Sequence, residues 1–447
     1  MKVAILGYGI EGRVSAKYWA NLGNEITICD KNPDTEVPAE FKKHLGPDHM
    51  KNLEAYDLIV RTSGLHPKLI IENNPDHPEI MERVTTSLNE FLKVCPTKNI
   101  IGITGTKGKG TASTLVAKIL EAAGLTTHLG GNIGIAPLKL LEEVKPDDWV
   151  VLELSSFQLF DLKKSVPTAV CLMIAPEHLN WHADMDEYVL AKANLFKLQE
   201  PSGRAIFNRL SPLSASIVQN SPAKKESYEV SLKGSLLSSK TGAYVEDGQI
   251  CYEGAQIMST DEVAMPGRHN LENICAAITT CWPIIDGDIS AIKKAVMGFK
   301  GLSHHLEFVA ETNGIKYYDD SYSTMPDATI AALEAIPEPK VLILGGGSKG
   351  LSLDEMIKAV TKSNVKHVVL MGSLANELRQ KLTTAGFNNF SLSPNDMLGI
   401  VAEAKKHTQS GDVVLLSPGL PAKGDGFFID NVDRGNQFKQ VVTSLTA

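Results

Sequence analysis

Short apolar runs alternate with glycine-punctuated, amphipathic stretches from one end of the 447-residue chain to the other. An apolar run of this kind is typical of a buried strand in a parallel sheet, and the stretch after it is typical of the helix that crosses back over that sheet. The pattern therefore predicts an α/β fold built from βα units around mostly parallel sheets. Nine runs are predicted to be strands: Lys2–Leu6, Glu25–Cys29, Leu58–Arg61, Ile100–Thr104, Trp149–Leu154, Ala169–Ile174, Val341–Leu344, Val368–Met371 and Val413–Leu416.

The chain is longer than one hydrophobic core usually supports, because single cores stop growing near about 250 to 300 residues. Two segments are typical of domain boundaries. Lys93–Asn99 places a proline between a helical pattern and a new strand, and Gly298–His305 is rich in glycine. Between them, Ser231–Glu262 alternates short polar and apolar residues around Gly and Asp turns, which predicts a small β-meander. We therefore expect three domains: residues 1–95, 96–300 and 301–447.

Composition narrows the class of function. A formal charge of −8 argues against an extended nucleic-acid surface, which needs a basic face, so we expect no nucleic-acid partner. No apolar run reaches the ~18 residues of a membrane-spanning helix, and the first residues lead directly into a strand instead of a signal peptide. The six cysteines form no C-x-x-C pair, so neither a zinc site nor a disulfide framework is predicted. We expect a cytoplasmic protein that acts on small anions and does not bind a membrane.

The first candidate site is Gly7–Gly12 (GYGIEG), which follows the first predicted strand and opens a helix. Asp30 stands at the end of the next strand. In this context the glycines let backbone N–H groups approach a phosphate at a helix N-terminus. The motif indicates a dinucleotide, mononucleotide or UDP-sugar site, and a tight βα turn without a nucleotide is the alternative.

A second glycine-rich turn, Gly105–Thr111 (GTKGKGT), follows the predicted strand Ile100–Thr104. Its spacing departs from G-x-x-x-x-G-K-[ST], since Gly110 separates Lys109 from Thr111. The chemistry still fits a triphosphate, because glycines expose amides, Lys109 can reach the β and γ oxygens, and Thr111 can offer its hydroxyl to Mg²⁺. The alternative is a flexible basic loop.

One further segment carries a carboxylate that could hold magnesium, a second carries groups that could bind a metal ion, and a third carries a lysine on a helix. Glu153 opens Glu153–Leu159 (ELSSFQL) at the end of a predicted strand, where α/β sheets present ligands, although an ordinary polar strand end has the same pattern. Ile174–His182 contains two imidazoles and a carboxylate, and a hydrogen-bonded structural histidine is the alternative there. Lys192 lies on the apolar face of the helix predicted over Met185–Leu198, where a snorkelling surface lysine is the alternative.

Two later segments add polar groups that are not diagnostic by themselves. Gly267–Asn273 (GRHNLEN) places two asparagines on one helical face, and Tyr318–Ser321 (YDDS) follows a strand. Asparagine pairs and an Asp-Asp-Ser sequence also cap or start helices. Their meaning depends on the motifs around them.

Taken in order, these segments resemble the motifs of the Mur ligase family of peptidoglycan synthesis, and the likeness covers essentially the whole chain. Its most specific element is ELSSFQL. Supporting segments are GGNIG at Gly130–Gly134, GTKGKGT at Gly105–Thr111, EHLNWH with EYVLAK at Glu177–Lys192, and GRHNLEN at Gly267–Asn273. The resemblance implies a Rossmann-like N-terminal UDP-binding domain, a central P-loop ATPase domain with a parallel sheet and a small β insertion, and a Rossmann-like C-terminal domain that binds an amino acid.

The resemblance also implies roles for individual residues. The UDP-linked substrate would contact Gly9, Ile10, Glu11, Gly12, Asp30, Lys31, Gly64, Asn132, Ser155, Gln158 and His178. ATP would contact Gly105, Thr106, Lys107, Gly108, Lys109, Gly110, Thr111, Asn270, Asn273, His305 and Asp320. The incoming amino acid would contact Thr324, Lys349, Ala422 and Lys423. The residues implied to be catalytic are Lys109, Glu153, His178 and Lys192. The residues implied to hold two Mg²⁺ ions are Thr111, Glu153, His178 and Lys192, with Lys192 in its carbamylated form.

The implied activity is ATP-dependent amide-bond formation, in which a substrate carboxylate becomes an acyl phosphate and an amine then displaces phosphate. ADP and phosphate are the other products. Within the family, the motifs are most similar to those of the members that add D-glutamate to UDP-N-acetylmuramoyl-L-alanine. That reaction serves cell-wall biogenesis, and through it cell shape and cell division. We expect a cytoplasmic monomer whose partners are these small molecules.

Several positions depart from the family pattern. His305 stands where arginine is usual, and Tyr322 replaces a lysine. Ala422 replaces a serine within Gly419–Phe428 (GLPAKGDGFF), where Lys423 could compensate. These departures leave open a variant that adds L-glutamate or another amino acid to the same UDP-substrate.

Two alternatives lie outside this reaction. Folylpolyglutamate synthase has a P-loop of the form G-T-x-G-K-G-[ST], which Gly110 matches, but the folate enzymes lack a unit like Gly7–Gly12. A nucleotide-binding regulatory protein that has lost catalysis is the other alternative. The presence of Lys109, Glu153 and Lys192 argues against it.

Overall fold

The computed structural model describes residues 1–179, 181–230, 241–265, 267–348, 352–393, 396–423 and 426–445. Within these residues the chain forms three β-sheets flanked by α-helices, so the predicted α/β class is confirmed. The chain divides into two compact units: Met1–Glu262 with His269–Met297, and Val263–Arg268 with Gly298–Ala447. The three predicted domain ranges stay predictions.

The first sheet contains five parallel strands: β1 Lys2–Leu6, β2 Glu25–Asp30, β3 Lys42–Leu45, β4 Leu58–Arg61 and β5 Val84–Thr85. Its helices are α1 Ile10–Asn21, α2 Pro67–Asn73 and α3 Ser87–Val94, with 3₁₀ turns at Leu53–Ala55 and Pro78–Arg83. The strand order is β3-β2-β1-β4-β5. This is a doubly wound arrangement whose order reverses between β1 and β4, the place where such sheets bind ligands. The predicted Rossmann-like character is confirmed.

The second sheet, in the same compact unit, has nine strands: β6 Ile100–Thr104, β7 Thr127–Gly131, β8 Trp149–Glu153, β9 Thr168–Cys171, β10 Arg204–Asn208, β11 Lys224–Val230, β12 Ala243–Glu246, β13 Gln249–Tyr252 and β14 Ala255–Ser259. Their order is β14-β13-β12-β11-β10-β9-β6-β8-β7. The pairs from β6 to β12 are parallel, whereas β12, β13 and β14 are antiparallel. This is the predicted meander, within the described part of residues 231–262.

Seven helices belong with the second sheet: α4 Lys109–Ala122, α5 Pro137–Leu140, α6 Ser156–Leu159, α7 Met185–Lys197, α8 Pro212–Gln219, α9 Arg268–Cys281 and α10 Ile289–Gly298. A 3₁₀ turn spans Thr260–Glu262. Both faces of β6 are buried, and its five residues are apolar or small. The strand can therefore lie in the centre of the sheet, and the turn after it opens at the sheet's carboxyl edge.

The third sheet lies in the second compact unit and has six strands: β15 Glu307–Thr312, β16 Ile315–Asp319, β17 Lys340–Gly345, β18 Val365–Met371, β19 Phe390–Leu392 and β20 Val413–Leu416. Their order is β15-β16-β20-β17-β18-β19. Only β15 runs antiparallel to its neighbour among these described strands. The helices are α11 Pro326–Ala335, α12 Asp354–Lys362, α13 Ala375–Thr384, α14 Met397–Lys406 and α15 Asn431–Ser444.

All nine predicted strands are present, four with the predicted ends and five with at least one shifted end. Two ends are shifted by three residues: β18 begins at Val365 and not at Val368, and β9 ends at Cys171 and not at Ile174. The chain leaves the ladder there because the Met173 carbonyl accepts a bond from the Thr106 N–H in the turn after β6. The helix predicted to end at Leu198 ends at Lys197. Strands such as β3 and β15 were not predicted, because their partly exposed residues give no continuous apolar run.

The described residues contain no helix that is both long enough and apolar enough to cross a bilayer.

Candidate active site

The turn Gly105–Thr111 joins β6 to α4, and α4 begins at Lys109. Gly108 has a left-handed backbone with φ of 83°, and a Cβ at this position would lie 2.3 Å from the Asn273 side-chain oxygen. The position therefore requires glycine, and Asn273 of α9 packs against the turn. Lys109 Nζ donates to the carbonyls of the first two residues of the turn, at 3.1 and 2.8 Å. The predicted ATP residues of this segment and Asn273 are thus brought together.

Lys192 projects from α7 into the same place. Its side chain is 1% exposed, so the snorkelling surface lysine that helix periodicity allows is wrong. Lys192 Nζ donates to Gly105 O at 2.9 Å and to Thr104 Oγ1 at 3.3 Å, and it lies 4.7 Å from the centre of the Tyr188 ring. Because Lys109 Nζ donates to the same Gly105 carbonyl, two lysines share one acceptor. Burial and then the Lys109 charge lower the pKa of Lys192 to about 7.

Glu153, the last residue of β8, is buried next to Asn132. The Asn132 side-chain amide donates to Glu153 Oε1 at 2.7 Å, and the Asn132 backbone N–H donates to the Glu153 carbonyl at 2.8 Å. Gly131 has φ of 106°, and a Cβ there would lie 2.2 Å from that carbonyl. Gly131 thus permits a close backbone approach. As a result Asn132, a predicted substrate contact, lies beside Glu153, a predicted metal ligand.

Ser155 and Gln158 form a capping box at the start of α6. The Gln158 side-chain oxygen accepts the Ser155 N–H at 3.0 Å, and Ser155 Oγ accepts the Gln158 N–H at 3.3 Å. Both side chains are nearly buried. Two residues predicted to line the muramoyl substrate therefore also fix the turn that follows Glu153.

His178 is held in a left-handed conformation with φ of 59°, which is unusual for a residue with a side chain. Its ring packs edge-on against Phe157 of α6, with centroids 4.7 Å apart, and its Nε2 lies 3.7 Å from a Glu177 carboxylate oxygen. Desolvation lowers the pKa of His178, and the nearby Lys109 and Lys192 charges act in the same direction. A neutral imidazole therefore lies beside the two lysines.

His182 is a residue that sequence reasoning did not select. It is buried between Ser156 Oγ, 2.9 Å from its Nε2, and Glu187 Oε2, 3.3 Å from its Nδ1. Burial lowers the pKa of His182. The contacts tie α6 to the first turn of α7, the helix that carries Lys192. Its sequence signal was the second imidazole of Ile174–His182.

Arg61 is a second residue that sequence reasoning missed. It ends β4 and is fully buried, and its guanidinium donates to both Asp161 carboxylate oxygens at 3.0 and 2.6 Å. It also donates to the Phe157 carbonyl of α6 at 3.1 Å and to three carbonyls of residues 62–65. The first sheet is thereby joined to α6 of the second. The only sequence signal is an arginine at the end of an apolar run.

The turn Gly7–Gly12 after β1 brings the start of α1 close to the strand. A Cβ on Gly12 would lie 2.0 Å from the Gly7 carbonyl, so α1 begins closer to the strand than another residue would allow. Asp30 accepts the N–H of the residue after Gly7 at 2.8 Å. Glu11 Oε2 accepts the Ser63 N–H and Oγ at 2.9 and 2.8 Å, while its buried Oε1 has no hydrogen-bond partner.

The other predicted UDP residues lie around this turn. Gly9, Ile10, Lys31 and Gly64 are exposed. The Gly64 carbonyl accepts the indole N–H of Trp181 at 3.0 Å. Gly64 therefore contacts the segment that carries His178 and His182.

In the second compact unit, Asp320 is buried at the carboxyl edge of the third sheet, directly after β16. Its carboxylate accepts Ser417 Oγ at 2.7 Å, the Leu306 N–H at 3.0 Å and a short bond from Ser323 Oγ. Burial raises the pKa of Asp320 to about 7 despite these bonds, which act against the rise. Asp320, a predicted ATP contact, thus organises the loops after β16 and β20.

The residues predicted to bind the incoming amino acid differ from one another in burial and contacts. Thr324 is half-buried and donates its N–H to the Tyr322 carbonyl at 2.8 Å. Ala422 is fully buried, its N–H donating to Asn431 Oδ1 at 2.8 Å, and Lys423 is exposed. Lys349 lies outside the described residues.

Comparison with known proteins decides the family. Residues 103–281 match the Mur ligase middle domain, and residues 304–420 match the Mur ligase, glutamate ligase domain. A relative from Clostridium novyi, named UDP-N-acetylmuramoylalanine–D-glutamate ligase, is 35% identical over 99% of this chain and 97% of its own length. The chain belongs to the Mur ligase family.

Other Mur ligases match over the same extent. A relative of the same name from Acetivibrio thermocellus is 34% identical over 100% of this chain and 97% of its own length. The UDP-N-acetylmuramate-alanine ligase MurC from Thermotoga maritima has a TM-score of 0.61 at 17% identity and covers 99% of each chain. MurF from Acinetobacter baumannii has a TM-score of 0.59 at 16% identity, over 99% of this chain and 93% of its own. The fold is that of the Mur ligases.

The side chains of this Mur ligase fit the two magnesium ions that the resemblance implies. Glu153 and Thr111 offer the hard oxygen ligands that Mg²⁺ prefers, and both stand at the carboxyl edge of the second sheet. His178 offers a neutral imidazole. An ammonium group has no lone pair for a cation, so Lys192 could serve only after it gains a carboxylate. Its buried Nζ, which forms no salt bridge within the described residues, is compatible with that modification.

Proposed function

We propose that the chain is an ATP-dependent ligase that adds D-glutamate to UDP-N-acetylmuramoyl-L-alanine and releases ADP and phosphate. The reaction would take place in the cytoplasm, in the synthesis of peptidoglycan precursors. The observation that carries the proposal is the convergence of Lys109 and Lys192 on the Gly105 carbonyl, in a chain whose full-length relatives bear that enzyme's name.

The turn after β6 would hold the ATP phosphates. Its amides and the N-terminus of α4 provide partial positive charge, and Lys109 adds a full charge over the turn. Lys109 would exchange its two carbonyl contacts for β- and γ-phosphate oxygens. Asn273 would keep the turn in its left-handed shape from the α9 side, and Asn270 would contact the nucleotide.

Magnesium, when bound, would neutralise negative charge on the γ-phosphoryl oxygens. Thr111 and Glu153 would hold one ion, and His178 with carbamylated Lys192 would hold the other. The low pKa of Lys192 supports the modification, because only the neutral amine attacks CO₂ and gives up a proton to form the carbamate. Asn132 would orient Glu153 through its 2.7 Å bond.

The chemistry then has two steps. A carboxylate oxygen of the L-alanyl substrate attacks the γ-phosphorus and ADP leaves, which gives an acyl phosphate. The amine of the amino acid attacks the acyl carbon, phosphate leaves and the amine loses a proton. Protein side chains form no covalent bond to substrate in this scheme, so their contribution is positioning and charge.

Other parts of the chain would supply the substrates. Residues 1–95 would bind the UDP moiety with the turn Gly7–Gly12, and residues 96–300 would bind ATP. Residues 301–447 would bind the amino acid with Thr324, Lys349 and Lys423, and Asp320 and His305 would face the nucleotide. We further propose that the protein acts as a monomer.

The test measures phosphate release from ATP with UDP-N-acetylmuramoyl-L-alanine and each of a panel of amino acids. D-glutamate should give the highest kcat/KM. The Lys109→Ala variant should lose turnover, whereas Lys118→Ala, an exposed lysine on the same helix, should keep it. Silence with D-glutamate but turnover with another amino acid would reject the amino-acid assignment and keep the ligase.

Two observations favour a second candidate, a ligase that adds L-glutamate or another amino acid to the same UDP-substrate. Ala422 is fully buried and offers only its backbone where a serine hydroxyl is usual, and Tyr322 replaces a cation. The same panel separates the two candidates. Folylpolyglutamate synthesis is disfavoured by the five-stranded Rossmann-like sheet, and binding of tetrahydrofolate without binding of UDP would revive it.

A further inference from the structure

A cluster of two imidazoles and one carboxylate lies in the second compact unit, outside the residues of the candidate active site. His367 belongs to β18, Glu403 to α14, and His407 directly follows that helix. One nitrogen or oxygen of each residue lies within 4.8 Å of the corresponding atoms of the other two. The described residues contain one other such group, His304 with Glu307 and Asp319, and that group adjoins Asp320 in the candidate active site.

The cluster lies toward the opposite edge of the third sheet from the candidate site. Asp320 and Ser417 directly follow the carboxyl ends of β16 and β20. His367, in contrast, is near the amino end of β18 and pairs with Val341 near the amino end of β17. A ligand at this cluster would therefore have no part in phosphoryl transfer.

The donor atoms of the three side chains lie close together. His367 Nε2 lies 3.0 Å from Ser391 Oγ on the neighbouring strand β19, and His407 Nε2 lies 3.3 Å from Glu403 Oε1. The two rings are stacked with centroids 3.5 Å apart and planes 9° from parallel. Glu403 and His407 are four residues apart, the spacing that places two ligands on one helical face.

Stacking and charge are compatible with a metal ion. Two imidazolium rings stacked at this distance would repel each other, so at least one ring carries a free nitrogen lone pair. The Lys406 ammonium donates to Glu403 Oε2 at 2.7 Å, whereas Glu403 Oε1 lies beside His407 Nε2.

We propose that His367, Glu403 and His407 bind one transition-metal dication of the Zn²⁺ class at this edge of the sheet. Two imidazoles and one carboxylate are a common zinc donor set, and Ser391 Oγ or water would complete four-coordination. Bond lengths near 2.0 Å require donors about 3.3 Å apart, so the cluster must contract. His407, whose side chain is 35% exposed, can turn out of the stack to do so. The ion would fasten the end of α14 to β18.

The experiment titrates Co²⁺ into the metal-free full-length protein with Mg²⁺ in excess, without ATP, and follows visible absorption; Zn²⁺ binding is measured by calorimetry. We expect one site per chain and a raised Tm with Zn²⁺. Glu403→Gln and His407→Gln, both at partly exposed positions, should weaken binding at least tenfold and remove the Tm shift. His128→Gln, in another imidazole–carboxylate pair with its partner Asp148 at 2.8 Å, should bind as the unaltered protein does.

Equal binding by the unaltered protein and by Glu403→Gln would overturn the proposal, as would a lack of Co²⁺ absorption in both. Ligase turnover in Glu403→Gln provides an independent reading. Because Glu403 is not among the residues proposed to bind ATP, magnesium or substrate, turnover should persist. Failure of the metal site therefore leaves the proposed function untouched, and failure of the proposed function leaves the metal site untouched.

Discussion

The His305 ring stacks on the Tyr322 ring, with centroids 4.8 Å apart and planes 14° from parallel. These are the two positions at which the chain departs from an arginine and a lysine in the family pattern. Two cations in such contact would repel, whereas two aromatic rings attract. The two positions that depart from the family pattern therefore contact each other in this chain.

The first prediction concerns this pair. Desolvation and the adjacent His304 lower the pKa of His305. In the proposed role of His305 beside the ATP phosphates, a neutral ring would attract them weakly. His305→Arg should lower KM for ATP about three- to tenfold, since the guanidinium is always charged and can stack on Tyr322. The advantage should shrink as pH falls and the native histidine gains a proton. Steady-state kinetics at several pH values measure both effects.

Tyr322→Phe keeps the stack and is the control, and its KM for ATP should not change. An unchanged KM in His305→Arg would show that this position does not face the phosphates.

The second prediction concerns Lys192. Lys192→Ala should reduce turnover by roughly 10³-fold, and Lys192→Arg by a similar factor, because a guanidinium cannot form a carbamate. Added acetate or formate should restore part of the activity of the alanine variant by supplying a carboxylate. Carbon-13 bicarbonate should give a carbamate NMR signal in the unaltered protein that both variants lack. Lys197→Ala, an exposed lysine on the same helix, should be fully active.

Full activity of Lys192→Arg would exclude the carbamate, whatever the alanine variant does.

The third prediction concerns Arg61 and Asp161. Arg61→Met leaves a carboxylate without its partner beside buried carbonyls, so the free energy of unfolding should fall by about 3–5 kcal/mol. Arg61→Met with Asp161→Asn should recover part of that loss. Lys42→Met breaks an exposed ion pair with Glu25, at 2.8 Å, and should change the free energy by less than about 1 kcal/mol. Urea denaturation measures all three, and equal effects in the first and third variants would contradict the assignment.

The fourth prediction follows from the raised pKa of Asp320, about 7 against an ordinary value of 3.8. The folded protein binds this proton more tightly than the unfolded chain does, so the stabilisation is complete below pH 3.8 and disappears as the pH rises to 7. The Tm of the unaltered protein minus that of Asp320→Asn should therefore decrease between pH 4 and pH 7. Asp327→Asn, an exposed aspartate at the start of α11, should give a difference that does not vary in this way.

If the Tm difference between the unaltered protein and Asp320→Asn did not change with pH, the three hydrogen bonds to the Asp320 carboxylate would offset its desolvation.

Local patterns predicted what is local. Strands such as β1, β6 and β20 were found because a buried strand leaves an apolar run, and the turn Gly105–Thr111 was found because a phosphate turn needs closely spaced glycines. Periodicity left the burial of Lys192 open, because it predicts which face of the helix a residue lies on but not which part of the protein covers that face. Only the resemblance selected a buried role, and the 1% exposure agrees with it.

Pairings between distant segments could not be predicted in the same way. Arg61 and Asp161 are a hundred residues apart in sequence, and nothing local in either segment names its partner. The stack of His305 on Tyr322 was noted only as two separate departures. His367 is a single histidine within a strand, so its meeting with His407 depends on how α14 packs against β18.

The bond from Arg61 to the Phe157 carbonyl constrains recombination among relatives. A hybrid enzyme made by exchanging residues 1–95 would bring a foreign side chain to position 61 while keeping Asp161. Unless the donor also carries arginine there, the hybrid would leave the partly buried Asp161 carboxylate without its ion-pair partner. Functional hybrids should therefore have their crossover point after Asp161, because Arg61 and Asp161 then come from the same parent.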